Sequence, residues 1–393
     1  MFRKLLTPVL KVVNAFLSMI WTLIDSLFPD RPLRFLFIQG RHIGHLTVDT
    51  DCYLKAELLG KHPAYTTVAV VWDISNPHLL KYFRKRLYFI RNRFIAAVLW
   101  QFRRFDVLQY DARSYAQIEG ETSLAPVIYR EWGSRTPLWE LDEEDSIKGR
   151  QVLDELGIPN GAWFVCVHCR EGGYDSYWDI QNYRNCNIDN YFKGMSSLVE
   201  RGAWLVRMGD VTMSPLPRMN HVVDYCHSRF KSDWMDVFLC ASCRFFLGSG
   251  SGIAWLASIF GVPVASANQA PMSATLYLRP GDINIPRLNW SLSDDRYLSF
   301  DEILNSPLGN FRRTHQFEES GIRLMENTPD DIRDLAIEML DTVEGKALYT
   351  AEDEMLQQRF ASLLGPGHFT FGSGARIGRD FLRKYSHLLR SSG

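Results

Sequence analysis

Residues 245–265 read Phe245-Phe-Leu-Gly-Ser-Gly-Ser-Gly-Ile-Ala-Trp-Leu-Ala-Ser-Ile-Phe-Gly-Val-Pro-Val-Ala265. The apolar run Phe245 to Leu247 enters a glycine and serine loop, Gly248 to Gly252. A helical pattern follows from Ile253 to Phe260, Gly261 stops it, and Val262 to Ala265 is apolar again. The order is strand, loop, helix, strand. Glycines let the backbone approach a ligand closely, serines add hydroxyl donors, and the helix start offers unpaired N–H groups. Such a loop suits phosphate, or it is a plain structural turn. No Lys follows, as a Walker loop requires, and the dinucleotide fingerprint is incomplete.

Upstream, the same alternation continues. Trp163 to His168 is a strand, a polar loop runs to about Asn187, Tyr191 to Arg201 is a helix, and Trp204 to Met208 is a strand leading to Gly209-Asp210. Val222 to Tyr225 is a short strand and Trp234 to Ala241 a helix. Nearer the N-terminus, the strand Leu33 to Ile38 gives way to a loop, Arg41 to Leu46, carrying His42 and His45. A helix from about Asp51 to Leu59 and a strand Thr67 to Trp72 come next. The expected fold is α/β: two Rossmann-like doubly wound domains facing a cleft, with ligands at the carboxyl ends of their strands.

The acidic stretches Glu119 to Glu121 and Trp139 to Asp145 place a domain boundary near residue 150. Residues 1–29 form an amphipathic helix, 30–150 a first Rossmann-like domain, 151–345 a second with the glycine loop, and 346–393 helices crossing back to the first domain. A chain of 393 residues has room for both cores. Its net charge of −1 gives no reason to expect nucleic acid. Seven cysteines fit reduced thiols better than a disulfide framework.

Between Leu5 and Phe28 the polar residues Thr7, Lys11, Asn14, Ser18, Thr22 and Asp25 fall on one narrow helical stripe. The apolar core, Val12 to Ile24, is short against the roughly 20 residues a spanning helix needs. The segment is read as lying in a bilayer interface, with docking on the protein's own core and a signal anchor as alternatives. Eight basic residues and no acidic one stand between Lys81 and Arg104, interleaved with aromatics. That is a solvated face over core aromatics, a surface for anionic lipid, or a base-stacking surface. Together these two segments predict a cytoplasmic protein peripheral to the inner face of the cell membrane.

His168-Cys-Arg170-Glu171-Gly-Gly-Tyr174 closes one strand. Arg170 there offers forked donors to a diphosphate, or pairs with Glu171 on the surface. Ser232 or Asp233 serves as N-cap of the helix that precedes the glycine loop. The pairs Cys166/Cys169 and Cys240/Cys243 lack the turn glycines of a zinc knuckle and are read as buried thiols. Asp49-Thr50-Asp51 matches a short metal and sugar-diphosphate motif, but before a helix it reads rather as an N-cap.

The block Val167 to Tyr174, Tyr183-Arg-Asn185, Arg207-Met-Gly-Asp210, Asp224-Tyr-Cys-His-Ser228, Lys231 to Asp236 and Phe246 to Gly252 resembles a family of bacterial glycosyltransferases found with surface-polysaccharide genes. More distantly, the glycine loop with Gly261-Val-Pro263 is similar to the donor domain of heptosyltransferases, and His168-x-Arg170 to a diphosphate clamp of certain fucosyltransferases. The resemblance implies the two-Rossmann, metal-independent GT-B architecture and transfer from a nucleotide diphosphate sugar to a glycan or lipid-linked hydroxyl, with no cofactor. Where heptosyltransferases carry an Asp after a Gly as base, this chain has His45 after Gly44. On that reading Arg170, Ser249, Gly250, Ser251 and Gly252 hold the diphosphate, and His168, Asp210, Asp224, Lys231 and Ser232 contact nucleotide or sugar. Arg41, Gly44, Tyr174 and Arg184 lie on the acceptor side. The rivals are a nucleotide-sugar epimerase on the same fold and a non-catalytic, membrane-docked glycan-binding protein.

Overall fold

A computed structural model of the chain describes residues 29–71, 73–90, 92–101, 109–111, 124–173, 176–274 and 278–389, with scattered positions between 12 and 27. Tyr174 and most of the N-terminal segment 1–28 lie outside the described residues. The chain divides into two compact units, Met1–Gln117 and Ile118–Gly393.

The first unit is a parallel four-stranded sheet in the order β3-β2-β1-β4, made of β1 (Leu33–Phe37), β2 (Thr66–Val70), β3 (Tyr88–Phe89) and β4 (Gln109–Asp111). Helix α1 (Ile43–Leu58) follows β1, and α2 (Arg93–Gln101) packs Ala96 against Phe37 and Val70. The sequence reading placed the first half of α1 in a loop and made Asp49 and Asp51 its cap; both lie inside the helix and are buried. Thr and Asp favour caps and turns because their side chains compete for backbone hydrogen bonds. Here the competition is settled within the helix: Thr47 Oγ1 bonds the Ile43 carbonyl at 2.7 Å and Thr50 Oγ1 the Leu46 carbonyl at 2.7 Å. Burial makes such partners obligatory.

The second unit holds a seven-stranded parallel sheet in the order β14-β10-β9-β8-β5-β6-β7. The strands are β5 (Phe164–His168), β6 (Trp204–Arg207), β7 (Val222–Val223), β8 (Phe246–Ser249), β9 (Val264–Gln269), β10 (Ile283–Pro286) and β14 (Arg376–Ile377). A small antiparallel sheet is built from β11 (Leu288–Ser291), β12 (Arg296–Tyr297) and β13 (Ile322–Met325). From β7 across, the large sheet runs third, second, first, fourth and onward, which is the doubly wound order. Its direction reverses between β5 and β8.

The division falls before residue 150 because α3 (Ala125–Trp132) and α4 (Glu143–Glu155) pack on the second unit. Tyr129 stacks on Trp255 with ring centroids 5.6 Å apart, and Gly149 has no room for a Cβ against the Phe238 ring. The acidic residues that marked a linker in the sequence include the first turn of α4, where they suit the helix dipole. The tail also belongs here, not to the first unit. Helix α5 (Phe192–Glu200) and α8 (Pro329–Val343) pack together, α9 (Ala351–Ser362) and α10 (Arg379–Lys384) follow, and β14 joins the sheet beside β10. Phe360 and Phe381 flank Phe300 at 5.5 and 6.3 Å between centroids. The helices between these include α6 (Asp233–Ser242) and α7 (Ile253–Ile259).

Candidate functional site

The reversal between β5 and β8 puts the loop after His168 against the loop after Ser249. The Arg170 backbone N–H donates to Ser249 Oγ at 2.9 Å, and the Ser249 side chain has no exposed surface. Gly248 permits the approach, since a Cβ there would stand 2.8 Å from the His168 carbonyl oxygen. A 3₁₀ segment, Ser176–Arg184, then lays a second arginine on the glycine loop. Arg184 Nη2 donates to the Gly250 carbonyl, and its Nη1 to Gln181 Oε1 at 2.7 Å. Arg170 Nη1 donates to the Gln181 carbonyl at 3.1 Å and to Asn185 Oδ1. Arg287, just past β10 and buried, donates through Nη2 to the Asn185 carbonyl at 2.5 Å. Among the described residues Arg184 and Arg287 have only neutral oxygen partners. Positive charge that the fold leaves unneutralised at a switch point suits an anionic ligand.

Beside this cluster a second arginine network fixes three loops. Arg207, fully buried at the end of β6, reaches Glu171 Oε1 at 2.6 Å, Asp224 Oδ1 at 3.2 Å and the Ser214 carbonyl at 3.1 Å. Burial pushes the Asp224 carboxyl up, but the Leu216 N–H, Cys226, His227 and Arg207 outweigh it and leave it below the usual carboxylate range. Glu171 therefore serves Arg207, not Arg170. Asp224, Cys226 and His227 bring three potential metal ligands together. Arg207 Nη1, however, lies 3.0 Å from Cys226 Sγ and 3.2 Å from Asp224 Oδ1, so a cation already holds that corner. Burial also lifts the Cys226 thiol to about 12, against the thiolate a metal needs.

The other expected residues divide by use. Asp210 spends one carboxylate oxygen on Thr212, at 2.9 Å to its N–H and 2.5 Å to its hydroxyl; its second oxygen has no bond among the described residues. Gly250 is buried in the loop, while Ser251 and Gly252 are half-buried at the start of α7. His168 is buried, with Nδ1 3.2 Å from the Met208 carbonyl. Burial lowers it to about 4, so it is neutral and fastens β5 to β6. Lys231 is bonded to Asp236, whose other oxygen accepts from the Tyr225 hydroxyl at 2.8 Å. Ser232 occupies the N-cap of α6, but its hydroxyl donates to the Phe230 carbonyl at 3.1 Å instead of capping the helix. Arg184, assigned to the acceptor side in the sequence, belongs to the glycine loop of the second unit.

In the first unit, Arg41 and Gly44 flank the start of α1, and His45 sits in its first turn with Nδ1 3.2 Å from Asp49 Oδ2. The two Cys-x-x-Cys pairs do not assemble a four-thiol site. Cys169 instead lies 3.2 Å from Cys186, Sγ to Sγ, and that hydrogen bond, with Arg287 nearby, lowers Cys186 to about 7 against its burial. Sequence reasoning missed Gln181, Asn185 and Arg287. An arginine directly after an apolar strand was the signal for Arg287; Asn185 stood in the Tyr183-Arg-Asn185 motif without a role of its own, and nothing local marked Gln181.

No protein-family model matches this sequence, and no curated protein matches it. Among solved structures the chain is similar to the ADP-heptose LPS heptosyltransferase II of E. coli, at 13% identity over 59% of this chain and 84% of that chain, with a TM-score of 0.36. It is also similar to a glycosyl transferase family 9 protein of Veillonella parvula, at 9% identity over 61% and 81%, TM-score 0.36. For the spinosyn forosaminyltransferase SpnP the values are 12% identity over 91% and 99%, with a TM-score of 0.32.

Proposed function

We propose that this protein transfers a sugar from a nucleotide diphosphate sugar to a hydroxyl of a glycan or lipid-linked acceptor in bacterial surface-polysaccharide synthesis. The observation that carries the reading is the Arg184 guanidinium on the Gly250 carbonyl, beside Arg170, at the reversal of the doubly wound sheet. Two forked donors and a glycine backbone fit the adjacent charges of a diphosphate. As the sugar leaves, charge grows on that diphosphate, and donors already fixed by Gln181 and Asn185 stabilise it without reorganising. Asp210, with an open carboxylate oxygen, suits a ribose or sugar hydroxyl. His45 would accept the acceptor's proton, a role an imidazole fills near neutral pH. The reading assigns the diphosphate to side chains and backbone, with no metal or cofactor.

Localisation at the inner face of the cell membrane is part of the same proposal. Among the described residues no helix is long and apolar enough to cross a membrane. Val12, Phe16, Met19, Leu23 and Leu27 are all exposed at helical spacing, and Tyr88 and Phe94 are exposed within the basic segment while Tyr82 and Phe83 are buried. An apolar stripe with basic neighbours suits anionic lipid.

Incubation with labelled nucleotide sugars tests the reaction. Nucleotide release that requires an acceptor is the expected result; conversion of the sugar without release would make the protein an epimerase. No binding of GDP, UDP, CDP, ADP or TDP in a melting-temperature screen would end the nucleotide-sugar reading.

A further inference from the structure

His45 and Asp49 share one face of α1, one helical turn apart, with Nδ1 and Oδ2 3.2 Å from each other. The Asp49 side chain is fully buried, and the His45 side chain is 34% exposed. Two residues on, the same spacing gives a different pair: Asp51 Oδ2 and Lys55 Nζ are 2.6 Å apart at 0% and 3% exposure. That second pair is closed within the core. The first runs from the core to the surface. Burying a carboxylate costs several kcal/mol unless a charged or hydrogen-bonded partner answers it. One partner here is a ring that is partly open to solvent.

The place is also specific. In the order β3-β2-β1-β4 the first unit reverses between β1 and β4, and α1 starts at the carboxyl end of β1, where doubly wound sheets take their ligands. The approach to α1 is pinned. The Gly40 carbonyl accepts the Ser75 N–H at 2.8 Å, and a Cβ on Gly40 would fall 2.3 Å from the Asp73 carbonyl oxygen. The His42 ring lies 6.1 Å from that of His45 and completes the polar start of the helix.

We infer that Asp49 is a positioning residue for His45: its carboxylate accepts a hydrogen bond from Nδ1–H and so leaves Nε2 as the proton-accepting nitrogen. A carboxylate behind an imidazole fixes its tautomer and steadies the imidazolium that forms when Nε2 takes a proton. Use of the pair in catalysis rests on the transferase reading above; the tautomer does not.

The test uses the full chain labelled with ¹⁵N-histidine, with His45→Gln to assign the resonance. At a pH where the ring is neutral, wild type should show the proton on Nδ1, and a folded Asp49→Ala variant should shift it toward Nε2, the form free imidazoles prefer. A proton on Nε2 in wild type, read without any change at Asp49, would overturn the inference, as would an unmoved tautomer in the Asp49→Ala variant. Asp49→Asn, nearly isosteric, should lower kcat by about 10²-fold with KM for the donor within about twofold, the low end of general-base effects. Unchanged kcat beside the expected tautomer would remove the pair from catalysis. No turnover by wild type would sink the transferase reading instead, and the spectrum alone would then judge Asp49.

Discussion

The Arg170 backbone N–H and the Ser249 hydroxyl close the reversal point of the larger sheet, 2.9 Å apart in a place with no exposed surface on the serine. The two residues were expected to serve one ligand side by side. The serine holds the loop through the Arg170 backbone, while the Arg170 guanidinium bonds the Gln181 carbonyl and Asn185.

Substitution should separate those two jobs. Ser249→Ala leaves a buried N–H without its partner and should lower stability by about 1–3 kcal/mol. Arg170→Ala keeps the backbone bond and should instead weaken nucleoside diphosphate binding by about 1.5–3 kcal/mol, roughly 10- to 150-fold in Kd. Calorimetry and melting curves on both variants check this. Full diphosphate affinity in folded Arg170→Ala would take the guanidinium out of the site.

Arg207→Met should expose the cost of the three-loop network. Without the guanidinium, Glu171 and Asp224 keep their charges and lose their shared partner. Breaking a buried pair costs about 3–5 kcal/mol, and the lower end applies because both carboxylates are partly solvated. Asp224, whose carboxyl is held low in the folded chain, contributes stability above the ordinary carboxylate pKa that is lost as pH falls through its lowered one. That acid limb should move to higher pH in the variant. An urea-unfolding series from pH 2 to 7 that superimposes on wild type would refute it.

Diphosphate binding should survive chelation. Asp51 is closed on Lys55, Asp49 on His45, and the Asp224, Cys226 and His227 corner already holds Arg207. Dialysis against EDTA should leave affinity within about twofold, well under the 1.4 kcal/mol of a tenfold change. Loss of binding, restored by Mn²⁺ or Mg²⁺, would refute that expectation.

Much of the fold could be read from alternating apolar runs and glycine stops, because parallel strands buried on both faces are nearly pure apolar sequence. β5, β6 and β8 begin within one residue of their expected starts, while β9 runs on through the polar Asn268 and Gln269. Where the reading failed, polar residues were buried with partners that no local pattern encodes. Asp49, Thr50 and Asp51 looked like a cap and sit inside α1. Acidic residues near 140–145 looked like a linker and begin α4, whose Gly149 meets Phe238. Arg170 and the glycine loop were legible as a pair. Ser249's real partner, and the move of Arg184 onto Gly250, depend on strand order, which one sequence does not display.

The membrane proposal predicts separable contributions. Deleting residues 1–28 should release the protein from vesicles containing anionic lipid while leaving nucleotide affinity intact, and the remaining binding should fall with salt as surface charges are screened. Co-sedimentation at low and high salt checks both. Unfolding of the truncated chain would assign the segment to the core instead.

The last prediction concerns Glu338 in α8, almost fully buried beneath the tail. It accepts the Arg379 N–H at 2.7 Å and the Tyr349 hydroxyl at 3.1 Å. Burial lifts its carboxyl from the ordinary 4.5 to about 7, against the pull of those two bonds. Between these values the folded chain holds a proton that the unfolded chain has released, so stability falls as pH rises from about 4.5 to about 7 and then stays level. A shift of this size corresponds to something on the order of 3 kcal/mol. Glu338→Gln removes the titration while its amide oxygen can still accept from Arg379. The variant should therefore melt higher than wild type at pH 8 and close to it at pH 5, and other titrating groups cancel in the comparison. An equal difference at both pH values would mean that Glu338 is charged throughout and that its two donors, not burial, set its state.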